Sequence, residues 1–161
     1  MPYECDNFMG LFFQMELDSK GATIKQYYGE QRRVFLPDLY KGVPITAIAF
    51  GAFRNCRAME ILRLPGKLAT IYPSSFAGCL ALEEILFPES LSAIQEDTFW
   101  GCTTLKRAWG SSVQYVGEKA FWHCDALEEA IFSKDVVLHK FSGIDMNGRV
   151  SGETMWFSKE Q

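Results

Sequence analysis

Apolar residues recur along the chain on a ruler of about 23 residues. Phenylalanine stands at positions 53, 76, 99 and 121, each preceded by a small residue, Ala52, Ser75, Thr98 and Ala120. Three residues after each ring comes Cys56, Cys79, Cys102 or Cys124, so successive cysteines are 23, 23 and 22 apart. Further apolar columns fall three and six residues beyond the cysteines: Met59, Leu82, Leu105 and Leu127, then Leu62, Ile85, Ala108 and Ala130. Five residues before the rings stand Ile48, Ile71, Ile94 and Val116, and eight before them Ile45, Leu68, Leu91 and Val113. A repeat of roughly 20 to 29 residues with apolar spacings of two and three predicts a solenoid, in which each unit buries its apolar edge against its neighbours.

Within one unit, Leu82 to Pro88 predicts a strand with Leu82, Ile85 and Phe87 inward, halted by a proline that cannot donate to a ladder. Leu91 to Ile94 predicts a second short extended piece. Glu96 to Cys102 predicts a helical turn, with acidic residues at the end where a helix dipole favours them. Each coil is therefore expected to run strand, strand, turn. In the third unit Ala108 and Gly110 replace larger residues, Ser111 replaces proline, and one residue is missing from the period; in the fourth, Ala130 and Ser133 stand at the corresponding places. The repeat decays towards its end, which predicts thinner packing there unless the last 25 or so residues act as a filling cap.

The runs ITAIAFGAFRNCRAMEILRLP and LATIYPSSFAGCLALEEILFP resemble the BspA-type leucine-rich repeat, and the resemblance extends over roughly residues 17 to 135. The opening GATIKQYYGEQRRVFLPDLYKGVPITAI resembles the hairpin and first half-repeat with which such domains often begin. The resulting expectation is an α/β repeat fold: a right-handed leucine-rich-repeat solenoid with parallel β-sheet and short helical turns. A single domain is divided into an N-terminal β-hairpin cap (1–36), about four repeats (37–135) and a C-terminal cap (136–161), with Glu153 to Ser158 the expected cap strand. The resemblance implies a bacterial surface protein used in attachment, and hence a location at the cell surface or outside the cell.

With 161 residues, 48% of them hydrophobic and 22% charged, the chain can bury a core and is too apolar for intrinsic disorder. Net charge is −4, so nothing offsets the repulsion of a polyanion and nucleic acid is excluded as a partner. No apolar run reaches the roughly 18 to 20 residues of a membrane helix. The greasy Phe8–Phe13 stretch follows Glu4 and Asp6 where a secretion signal carries basic residues, and reads as mature protein.

Cysteines more than twenty residues apart do not make a zinc site, and no metal or other cofactor is expected. Stacked coils place equivalent residues about 4.8 Å apart, beyond the ~3.5 to 4.5 Å preferred between disulfide Cβ atoms, so a ladder of buried free thiols is predicted; Cys5 lies outside it. The chain holds two histidines. His123 occupies the position of Asn55, Gly78 and Gly101 and reads as a turn residue, and His139 falls where the repeat breaks down. No third group orients a Cys/His pair, so catalysis is not expected. Glu83-Glu84 and Glu128-Glu129 recur at one repeat position and read as a solvated strand edge.

Strand alternation turns Arg63, Leu86, Trp109 and Ile131 away from the core, flanked two residues earlier by Ile61, Glu84, Arg107 and Glu129. This apolar stripe with a polar rim has the anatomy of a protein-binding patch. A terminal segment or a second copy of the chain, as in a homo-oligomer or an intracellular scaffold, could equally cover it. Trp100 and Trp122 are expected to pack against each other on the other side of the coil, with a carbohydrate platform as the alternative.

Overall fold

The computed structural model describes residues 5–8, 11–144 and 148–158. Antiparallel strands open the chain: β1 (Cys5–Phe8), β2 (Leu11–Asp18) and β3 (Gly21–Tyr27). After β4 (Arg33–Phe35) comes a hairpin of β5 (Leu39–Tyr40) and β6 (Val43–Ile48), turned at Lys41 and Gly42, both with positive φ as the tight two-residue turn requires. The repeats then alternate two kinds of short strand. β7 (Ile61–Arg63), β9 (Glu84–Leu86), β11 (Arg107–Trp109) and β13 (Glu129–Ser133) share one side of the coil. On a second side lie β8 (Thr70–Ile71), β10 (Ala93–Ile94), β12 (Tyr115–Val116) and β14 (Val137–Leu138). A final hairpin of β15 (Arg149–Ser151) and β16 (Thr154–Ser158) pairs antiparallel with β13. The result is a β-solenoid of about 5 turns.

Pairing between successive coils is parallel on both sides: β4 with β7, β9 with β11, and β11 with β13, on the first; β3 with β6, β6 with β8, β10 with β12, and β12 with β14, on the second. The extended piece expected at Leu82 to Pro88 is regular only over Glu84–Leu86, but its three inward residues are all buried.

The third side corrects the helical expectation. Among the described residues no helix forms, and Glu96 to Cys102 is a run of hydrogen-bonded turns. The reason lies in where the backbone donors go. Phe53, Phe76, Phe99 and Phe121 send their N–H groups to the carbonyls of Ser75, Thr98, Ala120 and Ser142 in the next coil, at 2.8 to 2.9 Å. Asn55, Gly78 and Gly101 do the same towards Ala77, Trp100 and Trp122 at 2.8 Å. Alternate donors spent between coils cannot close the i to i−4 bonds of a helix. The intervening ones close three-residue turns, as in Cys102 N–H to Phe99 O at 3.1 Å. Asn55, Gly78, Gly101 and His123 all have φ between 60° and 74°, so the predicted turn position is one of left-handed backbone.

Rings stack down the axis without a break. Tyr27, Phe53, Phe76, Phe99 and Phe121 follow one another with centroids 5.1 to 5.4 Å apart, and Phe132 and Phe157 continue the row at 6.1 and 5.9 Å. The small residues before the rings are fully buried, since a larger side chain there would push the turns apart.

Packing does not thin in the third unit as the sequence suggested. Phe87 leans over the space that Gly110 leaves and meets Phe99 edge-on at 5.7 Å. A Cβ built on Gly110 would lie 2.7 Å from Val113 Cγ2 and 3.0 Å from Phe87 Cδ2. Gly110→Ala is accordingly expected to destabilise the fold by about 1–3 kcal/mol, the usual cost of overpacking, readable as a lower urea midpoint at unchanged slope. At the C-terminal end Phe157 supplies the missing bulk. It stands opposite the small Ala130 and is buried against Phe132.

Candidate functional site

The ladder on the first side sets the outward side chains in two rows. Cross-strand register places Arg107 between Glu84 and Glu129, and Trp109 between Leu86 and Ile131. Ile61 and Arg63 continue these rows on β7. The six candidate residues on β9, β11 and β13 thus lie in two rows of one ladder, and Ile61 and Arg63 lie on β7, which pairs with β4. Two residues extend the apolar row beyond what the repeat columns showed: Phe35, paired with Arg63, and Trp156, paired with Ile131. Phe35 was legible, because Val34-Phe35-Leu36-Pro37 carries the strand closure of Leu62-Arg63-Leu64-Pro65. Trp156 arrives from an antiparallel hairpin outside the repeat and had no such signal.

Neither described terminal segment lies over the row. The N-terminal strands pair on the second side through β3, and the C-terminal hairpin extends the sheet sideways from β13. Leu86 at the centre is 67% exposed, with Phe35 at 55% and Ile61 at 44%.

The charges around the row are matched within the chain. Arg107 Nη1 meets Glu84 Oε1 at 2.6 Å, Arg32 meets Glu60 at 2.7 Å, and Lys106 meets Glu83 at 3.3 Å. Arg63 donates to the Leu36 carbonyl at 3.0 Å and reaches Asp38 at 3.4 Å. The Gly66 N–H and, after it, the Arg63 guanidinium hold the Asp38 carboxyl below its ordinary pKa. The Trp109 indole N–H donates to Glu129, which fixes the ring against its neighbours. Exposed pairs of this kind contribute little to stability. Their effect is to orient the long side chains and leave an apolar strip inside a frame in which four cations are paired with carboxylates and Glu129 is held by the Trp109 indole.

The strip is indented where β7 and β9 meet. These strands are neighbours without a regular ladder, and Glu83 N–H reaches the Glu60 carbonyl only at 3.5 Å. Two adjoining cavities, of about 650 and 500 Å³, open there and share Leu62, Leu86 and Trp109 in their walls.

On the turn side, the expected contact between Trp100 and Trp122 is replaced by a different one. Each indole meets the imidazole of His123 edge-on, at 5.9 and 6.0 Å, because the left-handed backbone at His123 projects its ring between them. The four repeat cysteines are free thiols; Cys79, Cys102 and Cys124 are buried as the ladder predicted, whereas Cys56 is only half-buried. Cys5 belongs to a strand whose side chains lie outside the described residues. Among the described residues, no three His, Cys, Asp or Glu side chains are grouped to hold a metal ion, and no helix is long and apolar enough to cross a membrane.

Parallel coils, a buried ring column and a sheet with an outward strip define a leucine-rich-repeat solenoid. The sequence comparison specifies it further: a match to the BspA type leucine rich repeat region, in six copies, spans residues 40–141, and the chain belongs to that family. Proteins of this family are generally non-catalytic binding modules. No curated protein matches the chain. Among solved structures, it is similar to the leucine-rich repeat protein TpLRR of T. pallidum (28% identity, 72% of this chain and 66% of that one, TM-score 0.59). It is also similar to a leucine rich cell surface protein of Faecalibacterium prausnitzii (25% identity, 80% and 39%, TM-score 0.60). A leucine-rich repeat protein of Bacteroides ovatus shares the fold at 21% identity over 86% of this chain and 37% of that one, with TM-score 0.66. The chain spans just under two thirds of the first structure and less than two fifths of the other two.

Proposed function

We propose that the chain is a protein-recognition module that binds its partner through the strip from Phe35 to Trp156, in a surface attachment or host-contact role. The observation that carries the binding reading is an uncovered apolar row, centred on Leu86 and Trp109, within a frame in which four cations are already paired. Aromatic and aliphatic anchors in an indentation, rimmed by polar groups, are the usual anatomy of a binding hot spot. A frame with those cations engaged favours a partner that offers apolar side chains over an anionic one. The attachment role is supported by the likeness to a leucine rich cell surface protein.

Leu86→Glu tests the reading more cleanly than a substitution at Trp109, because Leu86 has no polar partner whereas a carboxylate at 109 would be set against Glu129. The expected outcome is that wild type captures a surface protein and Leu86→Glu loses at least tenfold in affinity while its thermal midpoint stays within a few degrees. Equal capture by both proteins would sink the proposal. Light-scattering mass across a concentration series separates the second reading, a self-associating scaffold: a wild-type dimer split by Leu86→Glu would assign the strip to a second copy.

A further inference from the structure

Between the coil of β7 and β8 and the coil of β9 and β10, the ladder is missing from both sheets at once: β7 does not pair with β9, and β8 does not pair with β10. The flanking interfaces are paired on both sides, β4 with β7 and β6 with β8 before this seam, β9 with β11 and β10 with β12 after it. Bonds at the strand ends show the same break. On the first side Leu36, Phe87 and Gly110 donate N–H to the carbonyls of Arg63, Trp109 and Ile131 at 2.7 to 3.0 Å, whereas Leu64 makes no such bond to Leu86. On the second, Tyr72, Gly117 and His139 donate to Ile48, Ile94 and Val116 at 2.8 to 2.9 Å, whereas Gln95 makes none to Ile71.

The side chains divide at the same place. Arg32–Glu60 and Arg63–Asp38 join coils before the seam, Lys106–Glu83 and Arg107–Glu84 join coils after it, and among the described residues no sheet-side ion pair crosses it. Two carboxylates, Glu60 and Glu83, hold the same repeat position on its two sides and share the wall of the 500 Å³ cavity. Like charges so placed repel. Phe87 leans over Gly110 of the following coil, and Leu62 and Leu64 stay 7% and 6% exposed where Val34, Leu36, Ile85 and Ala108 are at most 1% exposed.

The turn side, by contrast, is continuous. Ser74, Phe76 and Gly78 donate N–H to the carbonyls of Glu96, Thr98 and Trp100 at 2.8 to 3.2 Å, and the Cys102 thiol donates to the Phe76 carbonyl at 3.1 Å. The rings of Phe76 and Phe99 stack between the same two coils at 5.4 Å. At the corner between the sheets, the Ser90 hydroxyl donates to the Leu68 carbonyl at 2.6 Å and forms a clasp.

We propose that the seam is a hinge: the coils before it and the coils after it move as two bodies about the turn side, and the movement opens and closes the sheet side. In a repeat protein each interface adds its own term to stability, so the one that lacks both ladders yields first. Phe35, Ile61 and Arg63 lie on one body, and Leu86, Trp109 and Ile131 on the other. The hinge therefore sets the spacing between the two halves of the strip and the width of the cavities between them, whatever the strip binds.

Residual dipolar couplings of the backbone N–H groups, measured on the full wild-type chain in a weakly aligning medium, average over the microsecond-to-millisecond range of such hinges. With the repeats divided at the seam, into residues 33–79 and 82–139, the expected result is two alignment tensors of unequal strength and a misfit about twofold lower than with one tensor. Division between the coil of β9 and the coil of β11 should give no comparable gain. Ser90→Ala, which removes the clasp, should widen the inequality while circular dichroism shows the fold retained. One tensor that serves both parts, two of equal strength, a better division at another interface, or an inequality that Ser90→Ala reduces would overturn the proposal.

Discussion

Phe76→Ala is expected to lower the unfolding free energy by about 3–5 kcal/mol, the cost of deleting a fully buried ring whose surroundings cannot close over the void. Phe76 is fully buried and stacks between Phe53 at 5.1 Å and Phe99 at 5.4 Å, with interplanar angles of 22° and 7°. Its carbonyl also receives the Cys102 thiol. Coils above and below are fixed by the N–H bonds from Phe53 to Ser75 and from Phe76 to Thr98, so they cannot slide together to fill the gap. Because repeat stability is a sum of unit and neighbour terms, loss at a central unit weakens two interfaces at once. Urea titration of wild type and variant measures it, and a loss below about 1 kcal/mol would mean that the ring column does not support the solenoid. Leu86→Glu provides the contrast, since an outward residue contributes little to the core.

Gly143→Ala is expected to cost about 2–4 kcal/mol, from strain at positive φ combined with a backbone clash. Gly143 has φ of +89°, and an added Cβ would sit 2.5 Å from the Phe121 carbonyl carbon and 2.7 Å from the Trp122 nitrogen. These are backbone atoms, so no rotamer change relieves the contact. The neighbouring Ser142 carbonyl accepts the Phe121 N–H at 2.8 Å, the last rung on the turn side. Displacing that rung would open the end of the ring column near Phe121 and Phe132. Hydrogen exchange should show protection lost first at Phe121 and Cys124, with Phe53 and Phe76 retained. Uniform loss, or none, would show that the last coil is not held by this close approach.

The sheet strip was readable from the sequence because alternation and repeat period together leave only one inward set. Leu62, Ile85, Ala108 and Ala130 had to be buried, and the residues on either side of each had to face out. The same logic failed at the turns. Acidic residues before Phe99 resemble a helix start, yet the donors of a repeated turn have partners in the next coil, and a local pattern does not count those partners. It failed again at Gly110, where a shortened unit looked like a defect and is the space that Phe87 occupies.

The sequence by itself determined the solenoid, the buried residues of its repeat columns and the outward residues of its repeat strands. Each follows from columns that recur in every unit, although the third unit is one residue short. Only the tertiary structure decided what happens where units meet or the period ends. It set His123 between Trp100 and Trp122, opened the seam between β7 and β9 and brought Trp156 beside Ile131. Those features depend on contacts between residues far apart in the chain, and their geometry is set by the packing of whole coils.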